Sequence, residues 1–386
     1  MNLKIPFFLS VCIVIISVVY IFNLINQDFV LNKEDEYEDT MNIWIATPGL
    51  ISSVEQFQEE TGIKMNITKF KSEEALVEEL VFFNMEDNLP DVIEIHSSYR
   101  LDEIMELRQP ILVQKIGEDF PASFHKATLE NFSYNGGLYG YPLGIEIPII
   151  IINRTILDNH IEGNQPVSPF ASNDTLAAYK EIQDKINSNK TKTFWFFHFD
   201  EDIPYYWDAF QHTEQGSKTS FEVLWTDLIK EYELAPPLDN HMAVTKFSNM
   251  EVGALITTSS NLQMIQELLR STFEIEVLPL FDSGKPLFVS GHGFISFSEE
   301  KKIELFYNYL SRDGVQLEFL SNTGWIPARK SLIESKPFIL QLPMAKYLGN
   351  LVKYHEDFTG KEVSEDSWQI WKNIKEKALD IEMNTD

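Results

Sequence analysis

The sequence has almost no cysteine and a shortage of positive charge. Cys12 is the single cysteine among 386 residues, which excludes an internal disulfide framework and any cluster of thiolate metal ligands. Lysine and arginine number 31 against 59 aspartates and glutamates, so the formal net charge is −28 at pH 7. A protein that binds nucleic acid needs a cationic surface to displace counterions from phosphates, and this composition excludes that class of partner.

The common motifs of catalysis and metal binding are also missing. The sequence contains no HExxH, no calcium-loop pattern, no GxSxG and no P-loop. Gly291-x-Gly293 lacks the third glycine of a dinucleotide fingerprint and predicts only a tight turn. His96 and His292 are interpreted as lone histidines beside predicted loops, because no cysteine or histidine cluster accompanies them. We therefore expect no metal site and no cofactor.

One long apolar run lies at the N-terminus. Ile5 to Ile25 carries no charge, and at about 1.5 Å per residue a helix of this length would span the hydrocarbon core of a bilayer. Lys4 precedes the run and mostly acidic residues follow it, so the positive-inside rule places the bulk of the chain outside the cytoplasm. We expect residues 1–26 to be an uncleaved membrane anchor or, alternatively, a signal sequence. Residues 27–40 are expected to form an acidic linker.

The rest of the chain alternates short apolar strands with longer amphipathic helices. Its opening part predicts three strands and two helices, in the order 42–46, 50–61, 63–70, 72–83 and 90–96. Such alternation indicates right-handed βαβ units, a mainly parallel sheet and an α/β fold. Further along, 139–153 predicts a buried strand that crosses between two lobes, and 337–379 is mostly helical.

The order of these elements identifies the first candidate ligand-binding residues. Open parallel sheets bind their ligands beyond the carboxyl ends of the strands. The residues that follow or end the predicted strands of the opening part are Thr47, His96, Ser97 and Ser98.

Seven stretches of the sequence, taken in order, are similar to those of one protein family. They begin with NIWIATPGLISSVEQFQEETGIKMNI, LPDVIEIHSSYRLDEIMELRQPI and GGLYGYPLGIEIPIIIINRTIL, and continue with KFSNMEVGALI, FEIEVLPL, SGHGFISF and TGWIPARKSL. Together they resemble family 1 of the bacterial extracellular solute-binding proteins, which includes maltose-binding protein. The resemblance extends over residues 41–335 in register, with a helical C-terminus beyond.

The resemblance implies a periplasmic-binding-protein fold of type II, in which a hinge joins two α/β lobes and the ligand lies between them. Family order implies an N-lobe of residues 41–144 and 273–318, and a C-lobe of residues 145–272 and 319–386. The implied function is to capture a mono- or oligosaccharide outside the cytoplasm and deliver it, without catalysis, to the permease of an ABC transporter. A membrane-anchored sensor of the same fold that signals to a histidine kinase is the alternative. A glycoside-cleaving enzyme ranks third, because no pair of carboxylates stands out.

Sugars bind through hydrogen bonds to planar polar groups and through contact with aromatic faces, which identifies further candidates. Glu146 lies between isoleucines in the hinge stretch, where an isolated carboxylate is costly, and the matching glutamate of the family contacts sugar. Tyr205 matches a binding tyrosine of the family. Trp207 lies in the same segment, which we interpret as an aromatic loop after the acidic turn at 200–202.

The last candidates follow a later strand and a turn. Thr258, Ser259 and Asn261 begin a helix and face the cleft if family order holds, although some of them could simply cap that helix. Trp325, in the TGWIP turn, fits either the core or the ligand site. Asn261 and Glu94 stand where maltose-binding protein has tryptophans, so a carbohydrate other than maltodextrin is the expected ligand.

Overall fold

The computed structural model of the protein describes residues 40–83, 89–97, 100–113, 121–161, 167–189, 192–200, 202–212, 216–238, 242–269, 274–281, 287–333, 335, 345–352 and 355–384. The predicted anchor at 1–26, nearly all of the linker and the candidate Ser98 lie outside these residues. None of the described helices is both long and apolar enough to cross a membrane. Residues Met41–Asp386 form one compact unit.

The described residues form both strands and helices throughout this unit. The strands are β1 (Thr40–Ile45), β2 (Lys64–Lys69), β3 (Val92–His96), β4 (Ser133–Tyr134), β5 (Gly137–Leu138), β6 (Gly140–Glu146), β7 (Pro148–Asn153), β8 (Trp195–Phe199), β9 (Val252–Thr258), β10 (Ile275–Pro279), β11 (Leu287–Phe288), β12 (Ser290–Ser296), β13 (Ile326–Pro327) and β14 (Phe358–Thr359). The helices are α1 (Ile51–Thr61), α2 (Glu73–Phe83), α3 (Leu101–Leu107), α4 (Lys126–Asn131), α5 (Arg154–Leu157), α6 (Asn173–Asn187), α7 (Ile203–Gln211), α8 (Phe221–Thr226), α9 (Ala243–Ser248), α10 (Leu262–Leu269), α11 (Lys301–Leu310), α12 (Asp313–Thr323), α13 (Lys330–Ile333), α14 (Ala345–Val352) and α15 (Ser367–Met383).

Local sequence signals placed the opening elements correctly. The three strands and two helices predicted there occur within two residues of their expected bounds. Gly62 adopts the left-handed conformation after α1, with φ 77°, and its N–H donates to the carbonyl oxygen of Gln58. Ser72 caps α2, because its hydroxyl accepts a hydrogen bond of 3.2 Å from the backbone N–H of Ala75.

Two larger sheets carry the fold. One has six strands in the order β13-β6-β12-β3-β1-β2, and the other has four in the order β10-β7-β9-β8. β1 pairs with β3 in parallel, but β12 is antiparallel to both β3 and β6. The prediction of a mainly parallel sheet is therefore wrong. The alternation of strands and helices on which it rests describes only elements that are neighbours in the sequence. β12 comes from a distant part of the chain and inserts in the opposite direction.

The buried stretch near the middle of the chain connects the two sheets. β6 and β7 are separated only by Ile147, and all their residues are buried. The isoleucines of β7 alternate between two hydrophobic clusters: Ile149 and Ile151 pack on one side of the four-stranded sheet, and Ile150 and Ile152 on the other. A strand that is covered on both faces has no polar alternation, which explains its continuous apolar sequence.

Two strands belong to a different sheet from the one that the order of segments in the family implies. β10, inside the segment 273–318 expected in the N-lobe, pairs over five residues with β7 of the four-stranded sheet. β13, inside the segment 319–386 expected in the C-lobe, pairs with β6 of the six-stranded sheet. Both strands hydrogen-bond along buried neighbours of the other sheet, so packing overrides their order in the chain. The lobe boundaries themselves stay a prediction.

Candidate functional site

Two histidines and a glutamate meet on adjacent strands of the six-stranded sheet. His96 ends β3, Glu146 ends β6, and β12 lies between these strands with His292 directly opposite His96. Nε2 of His96 lies 3.5 Å from Oε2 of Glu146, and Nε2 of His292 lies 3.4 Å from Oε1 of the same carboxylate. The interpretation of His96 and His292 as lone histidines is wrong, because antiparallel pairing joins residues that are far apart in the sequence.

The glycines that flank His292 let its strand approach its neighbours closely. A Cβ atom on Gly291 would lie 2.2 Å from the carbonyl oxygen of Gly144, and one on Gly293 would lie 2.7 Å from that of Tyr141. Both glycines belong to β12, so the tight turn predicted from their spacing is wrong. Close backbone approach is the physical reason for glycine at these positions.

Two further carboxyl groups face the other side of the His292 ring. Nδ1 of His292 lies 2.9 Å from Oε1 of Glu73, at the start of α2, and 3.5 Å from Oε1 of Glu94 on β3. Glu94 is fully buried, and its Oε2 accepts hydrogen bonds of 2.8 Å from the backbone N–H groups of Ala46 and Thr47. Thr47 therefore reaches this site through its backbone, as the loop after β1.

Charged and hydrogen-bonding neighbours shift the pKa values in this cluster more than burial does. Burial acts to raise the pKa of Glu146, but contacts with His292 and His96 outweigh burial and hold that pKa well below its usual range. Burial likewise acts to raise the pKa of Glu73, but the charge of His292, the hydrogen bond with it and the charge of His96 together lower that pKa. For His292, burial acts to lower the pKa, while the charge of Glu73 and the contact with Glu146 keep that pKa well above its usual value. These shifts favour charged carboxylates at Glu73 and Glu146 beside His292.

Trp325 packs against one face of the His292 ring. Its ring stacks on His292 with centroids 4.0 Å apart and an angle of 13° between the planes. The side chain is 3% exposed, so His292 covers the face that a sugar ring would need. In this arrangement Trp325 contacts the site through His292.

A second polar cluster lies at the carboxyl ends of β8 and β9 in the four-stranded sheet. Oδ2 of Asp200 accepts a hydrogen bond of 2.5 Å from the hydroxyl of Thr257 and one of 3.3 Å from the amide of Asn261. Tyr206 donates its hydroxyl to Oδ1 of Asp200. The same Asn261 amide lies 2.9 Å from the oxygen of Thr257. One carboxylate thus orients three side chains at this edge.

The two aspartates of this second cluster resist ionisation. Burial raises the pKa of Asp200 to about 6, against the lowering effect of its hydrogen bonds with Thr257 and Tyr206. Burial, followed by the negative charge of Asp200, raises the pKa of Asp202 to about 7. Asp202 also experiences the charges of His96 and Glu146, which belong to the other sheet. Carboxyl groups with pKa values close to neutrality are typical of functional sites.

The aromatic residues beside these aspartates lie on a helix. The aromatic loop expected around Tyr205 and Trp207 is wrong, because Pro204 occupies the first turn of α7, where its fixed φ favours a helix start. Tyr205 is fully buried, and its ring centroid lies 6.2 Å from that of His96 in an edge-to-face arrangement. Trp207 packs with Phe210 and Phe221 in the core behind it. Of the two, Tyr205 is the residue that reaches the histidine–glutamate cluster.

The remaining candidates have structural hydrogen bonds at the same edges. The hydroxyl of Ser97 accepts from the backbone N–H of Gly291 at 3.0 Å, and that of Ser259 accepts from Ile147 at 3.1 Å. The hydroxyl of Thr258 lies 2.7 Å from that of Ser260. Ser97 and Ser259 thus tie distant segments together, whereas the contact of Thr258 is local.

Sequence reasoning missed four residues of the site. Glu73, Asp200, Asp202 and His292 were not proposed as ligand contacts, although Asp200 and Asp202 directly precede a candidate segment. A carboxylate immediately after a buried strand was the available signal for Asp200. Neither Glu73 nor His292 carries such a local signal. Two groups of this region, His96-Glu146-His292 and Glu73-Glu94-His292, have ligand-type atoms within 4.8 Å of one another.

Comparisons with known proteins agree with this architecture. A family model described as bacterial extracellular solute-binding protein matches residues 52–346. No curated protein matches the chain significantly.

Solved structures similar to the chain include three sugar receptors. The GacH receptor of Streptomyces glaucescens, solved without ligand and with acarbose, has 14% identity and a TM-score of 0.68 over 90% of this chain and 94% of its own. The maltotriose-binding protein of Thermus thermophilus, bound with maltotriose, has 14% identity and a TM-score of 0.66 over 90% and 95%. The sugar-binding protein MalE of Xanthomonas citri has 16% identity and a TM-score of 0.68 over 89% and 91%.

At such identities the likeness establishes the fold, and the two-lobe fold predicted from the sequence is confirmed. The family match extends over more than half of the chain, which also confirms the predicted resemblance. The protein belongs to the bacterial extracellular solute-binding protein family.

Proposed function

We propose that the protein is the extracytoplasmic substrate-binding protein of an ABC transporter and that it captures a mono- or oligosaccharide between its two lobes. The observation that supports this most directly is the approach of two polar clusters across the edges of the two sheets. His96 and Glu146 lie on one side, Asp200 and Asp202 on the other, and Tyr205 contacts the ring of His96 between them. Planar acceptors beside an aromatic ring are the groups that hydrogen-bond and pack against sugars.

The composition of the cleft favours an uncharged polyhydroxylated ligand. Carboxyl groups accept hydrogen bonds from sugar hydroxyls, whereas an anionic ligand would be repelled by Glu73, Glu146 and the aspartates. Asn261 and Glu94 replace the tryptophans expected of a maltodextrin platform. A small sugar held mainly by hydrogen bonds therefore fits better than a long α-glucan. Several solved neighbours, including one from Thermotoga lettingae bound with α-D-tagatose, are sugar-binding proteins.

The proposal includes attachment to the membrane and motion between lobes. The uncharged run Ile5 to Ile25 would hold the protein on the outer face of the membrane, and residues 27–40 would serve as the linker. The lobes would close around the ligand by hinge motion where the chain passes between the two sheets, as it does from β6 to β7. The protein binds and releases, and no chemical step is needed.

A thermal-shift screen of the full-length chain in mild detergent tests the sugar-binding function. The panel contains monosaccharides, oligosaccharides, polyols, amino acids and short peptides. A ligand present at a hundred times its dissociation constant adds about 2.7 kcal/mol of stability, which is easily detected. We expect a shift with one or a few carbohydrates. Asp202→Asn should reduce the affinity for that sugar up to about tenfold, because the amide replaces one acceptor oxygen with a donor and a hydrogen bond contributes roughly 0.5–1.5 kcal/mol.

Asp174→Asn is the matched control, because it makes the same change at an exposed position on α6. Its affinity should equal that of the wild type. A shift with peptides or amino acids but with no carbohydrate would contradict the proposed ligand class.

A further inference from the structure

We propose that His96, Glu146 and His292 form a binding site for one divalent transition-metal ion, of which Zn²⁺ is the best match, in the wall of the cleft. These residues present two imidazole nitrogens and a carboxylate from three neighbouring strands. The site goes beyond sugar binding, although His96 and Glu146 also line the proposed sugar site. All three ligands lie on the six-stranded sheet, so binding of the ion can be tested in the absence of sugar.

The three side chains lie close enough together to bind one ion. The two Nε2 atoms lie 3.4 and 3.5 Å from the oxygens of Glu146. A charge-assisted hydrogen bond between nitrogen and carboxylate oxygen is shorter, about 2.7–2.9 Å. In a tetrahedron with bonds of roughly 2.1 Å, as Zn²⁺ makes to nitrogen and oxygen, neighbouring ligand atoms are about 3.4 Å apart. The two contacts are made to different oxygens of Glu146, both are longer than charge-assisted hydrogen bonds, and one ligand-type atom from each of the three residues lies within 4.8 Å of the other two.

The groups behind His292 are those that orient a metal-binding histidine. Its Nε2 points to Glu146, while its Nδ1 lies 2.9 Å from Glu73 and 3.5 Å from Glu94. A carboxylate on the far nitrogen of a ligating imidazole fixes the ring and increases its basicity. Stacking on Trp325 fixes the plane of the same ring. Glu94 is itself held by the backbone N–H groups of Ala46 and Thr47. The ring of His292 is thus held by Glu73 at the start of α2, by Glu94 on β3 and by Trp325 just before β13.

The set of ligand types indicates the class of metal. Two imidazoles and one carboxylate form a set that Zn²⁺ uses, with a fourth position left for water or for an oxygen of a bound molecule. Ca²⁺ and Mg²⁺ prefer six or more oxygen ligands and would be poorly served by two nitrogens. The ion would add positive charge beside the acidic cleft.

Isothermal titration of the full-length, tag-free chain with ZnCl₂ tests this site after removal of bound metal with a chelator. We expect one Zn²⁺ per chain with micromolar or tighter affinity. His292→Ala and His96→Ala should weaken binding about 100-fold or more, because each removes one of three protein ligands. Glu73→Gln keeps all three ligands, so it should retain a stoichiometry of one while lowering the affinity about 10- to 100-fold. Co²⁺ in place of Zn²⁺ should give the intense visible absorption of tetrahedral coordination.

His160→Ala is the control, since it removes a half-buried histidine outside the cluster, and it should leave Zn²⁺ binding unchanged. Circular dichroism of each variant verifies that it has folded, and Glu73→Gln tests the site even if a histidine variant fails to fold. Absence of saturable Zn²⁺ binding to the wild type, or binding that survives both histidine substitutions, overturns the proposal. Sugar-induced shifts are recorded on the same samples with and without Zn²⁺. A failed zinc titration therefore leaves the sugar-binding function standing, and a silent sugar panel leaves the metal site standing.

Discussion

Asp202 illustrates how a single half-buried acid can affect both stability and binding. Its carboxyl group lies at the end of β8, before α7, where burial and the charge of Asp200 raise its pKa to about 7 from an ordinary value of 3.8. The charged form is therefore less favourable in the folded protein than in the unfolded chain. Such a group weakens the fold at neutral pH, and we infer that its hydrogen-bonding capacity toward a ligand is the reason it is present.

The raised pKa predicts a pH-dependent effect of Asp202→Asn. Folding takes up a proton at Asp202 between about pH 4 and pH 7, so the contribution of this group to stability falls as the pH rises through that range and levels off above it. Asparagine resembles the protonated form at every pH. The melting temperature of Asp202→Asn should therefore exceed that of the wild type, by little at pH 5 and by more at pH 8. Differential scanning calorimetry across this range measures the difference.

Asp380→Asn, at an exposed position near the end of α15, controls for the loss of one negative charge and should show no such trend. A difference for Asp202→Asn that shrinks between pH 5 and pH 8 would contradict the assignment.

At the residue level, the sequence identified Glu146 as a candidate from a local signal, and its role in ligand binding stays a prediction. Glu146 was identified because a lone carboxylate in an apolar stretch is costly, and the structure places it at the centre of the ionic cluster. His292 was dismissed, because its partners Glu73 and Glu94 are distant in the sequence. Charge partners of that kind cannot be found from spacing.

At the scale of secondary-structure elements, β7 is the strand on which the four-stranded sheet depends. It pairs with β10 on one side and β9 on the other, and its side chains reach both hydrophobic clusters. Its β-branched composition made it easy to predict as a buried strand. The helix α7 was not predicted, because its many aromatic residues give no clear helical periodicity. Pro204 occupies its first turn, a position that proline favours.

Removal of one isoleucine from β7 should be strongly destabilising. Ile151 is 0% exposed, so Ile151→Ala should lower the free energy of unfolding by about 3 kcal/mol, from lost burial and the cavity left behind. Ile370→Ala, the matched substitution at a side chain that is 47% exposed on α15, should change it by less than about 0.5 kcal/mol. Urea unfolding followed by circular dichroism measures both values. Equal losses for the two variants would show that β7 is not the buried centre of its sheet.

At the scale of the whole molecule, contacts at the C-terminus join parts of the chain that belong to different sheets. The backbone N–H of Trp368 on α15 donates to Asp102 on α3 at 2.7 Å, while Trp371 of the same helix packs into the core around α7. Nζ of Lys361 lies 2.7 Å from Asp208 on α7. These contacts tie the C-terminal part of the chain to both α3 and α7.

The proposed anchor makes a prediction for the whole chain. Ile5 to Ile25 is long enough and apolar enough to remain in a bilayer, so the full-length protein should stay with bacterial membranes after an alkaline carbonate wash. A chain that begins at Thr40, secreted behind a cleavable signal sequence, should be released. Immunoblots of the washed membranes and the supernatant compare the two forms. If cells that express the full-length chain yield a shorter protein in the supernatant, the N-terminal run is a signal sequence that has been cleaved.

The sequence by itself determined the α/β class, the opening elements and the family, because periodicity, caps and motif order are carried by residues close together in the chain. It also identified Glu146, Tyr205 and Asn261 at the edges that face each other. Only the tertiary structure decided that β12 runs antiparallel between β3 and β6, which brings His292 to His96 and Glu146. Pairing between distant strands depends on packing and hydrogen bonding across the whole unit, and no local pattern encodes which strand becomes the neighbour. The grouping of the cleft residues therefore depends on how the strands pair in the sheets, and the sequence alone does not show it.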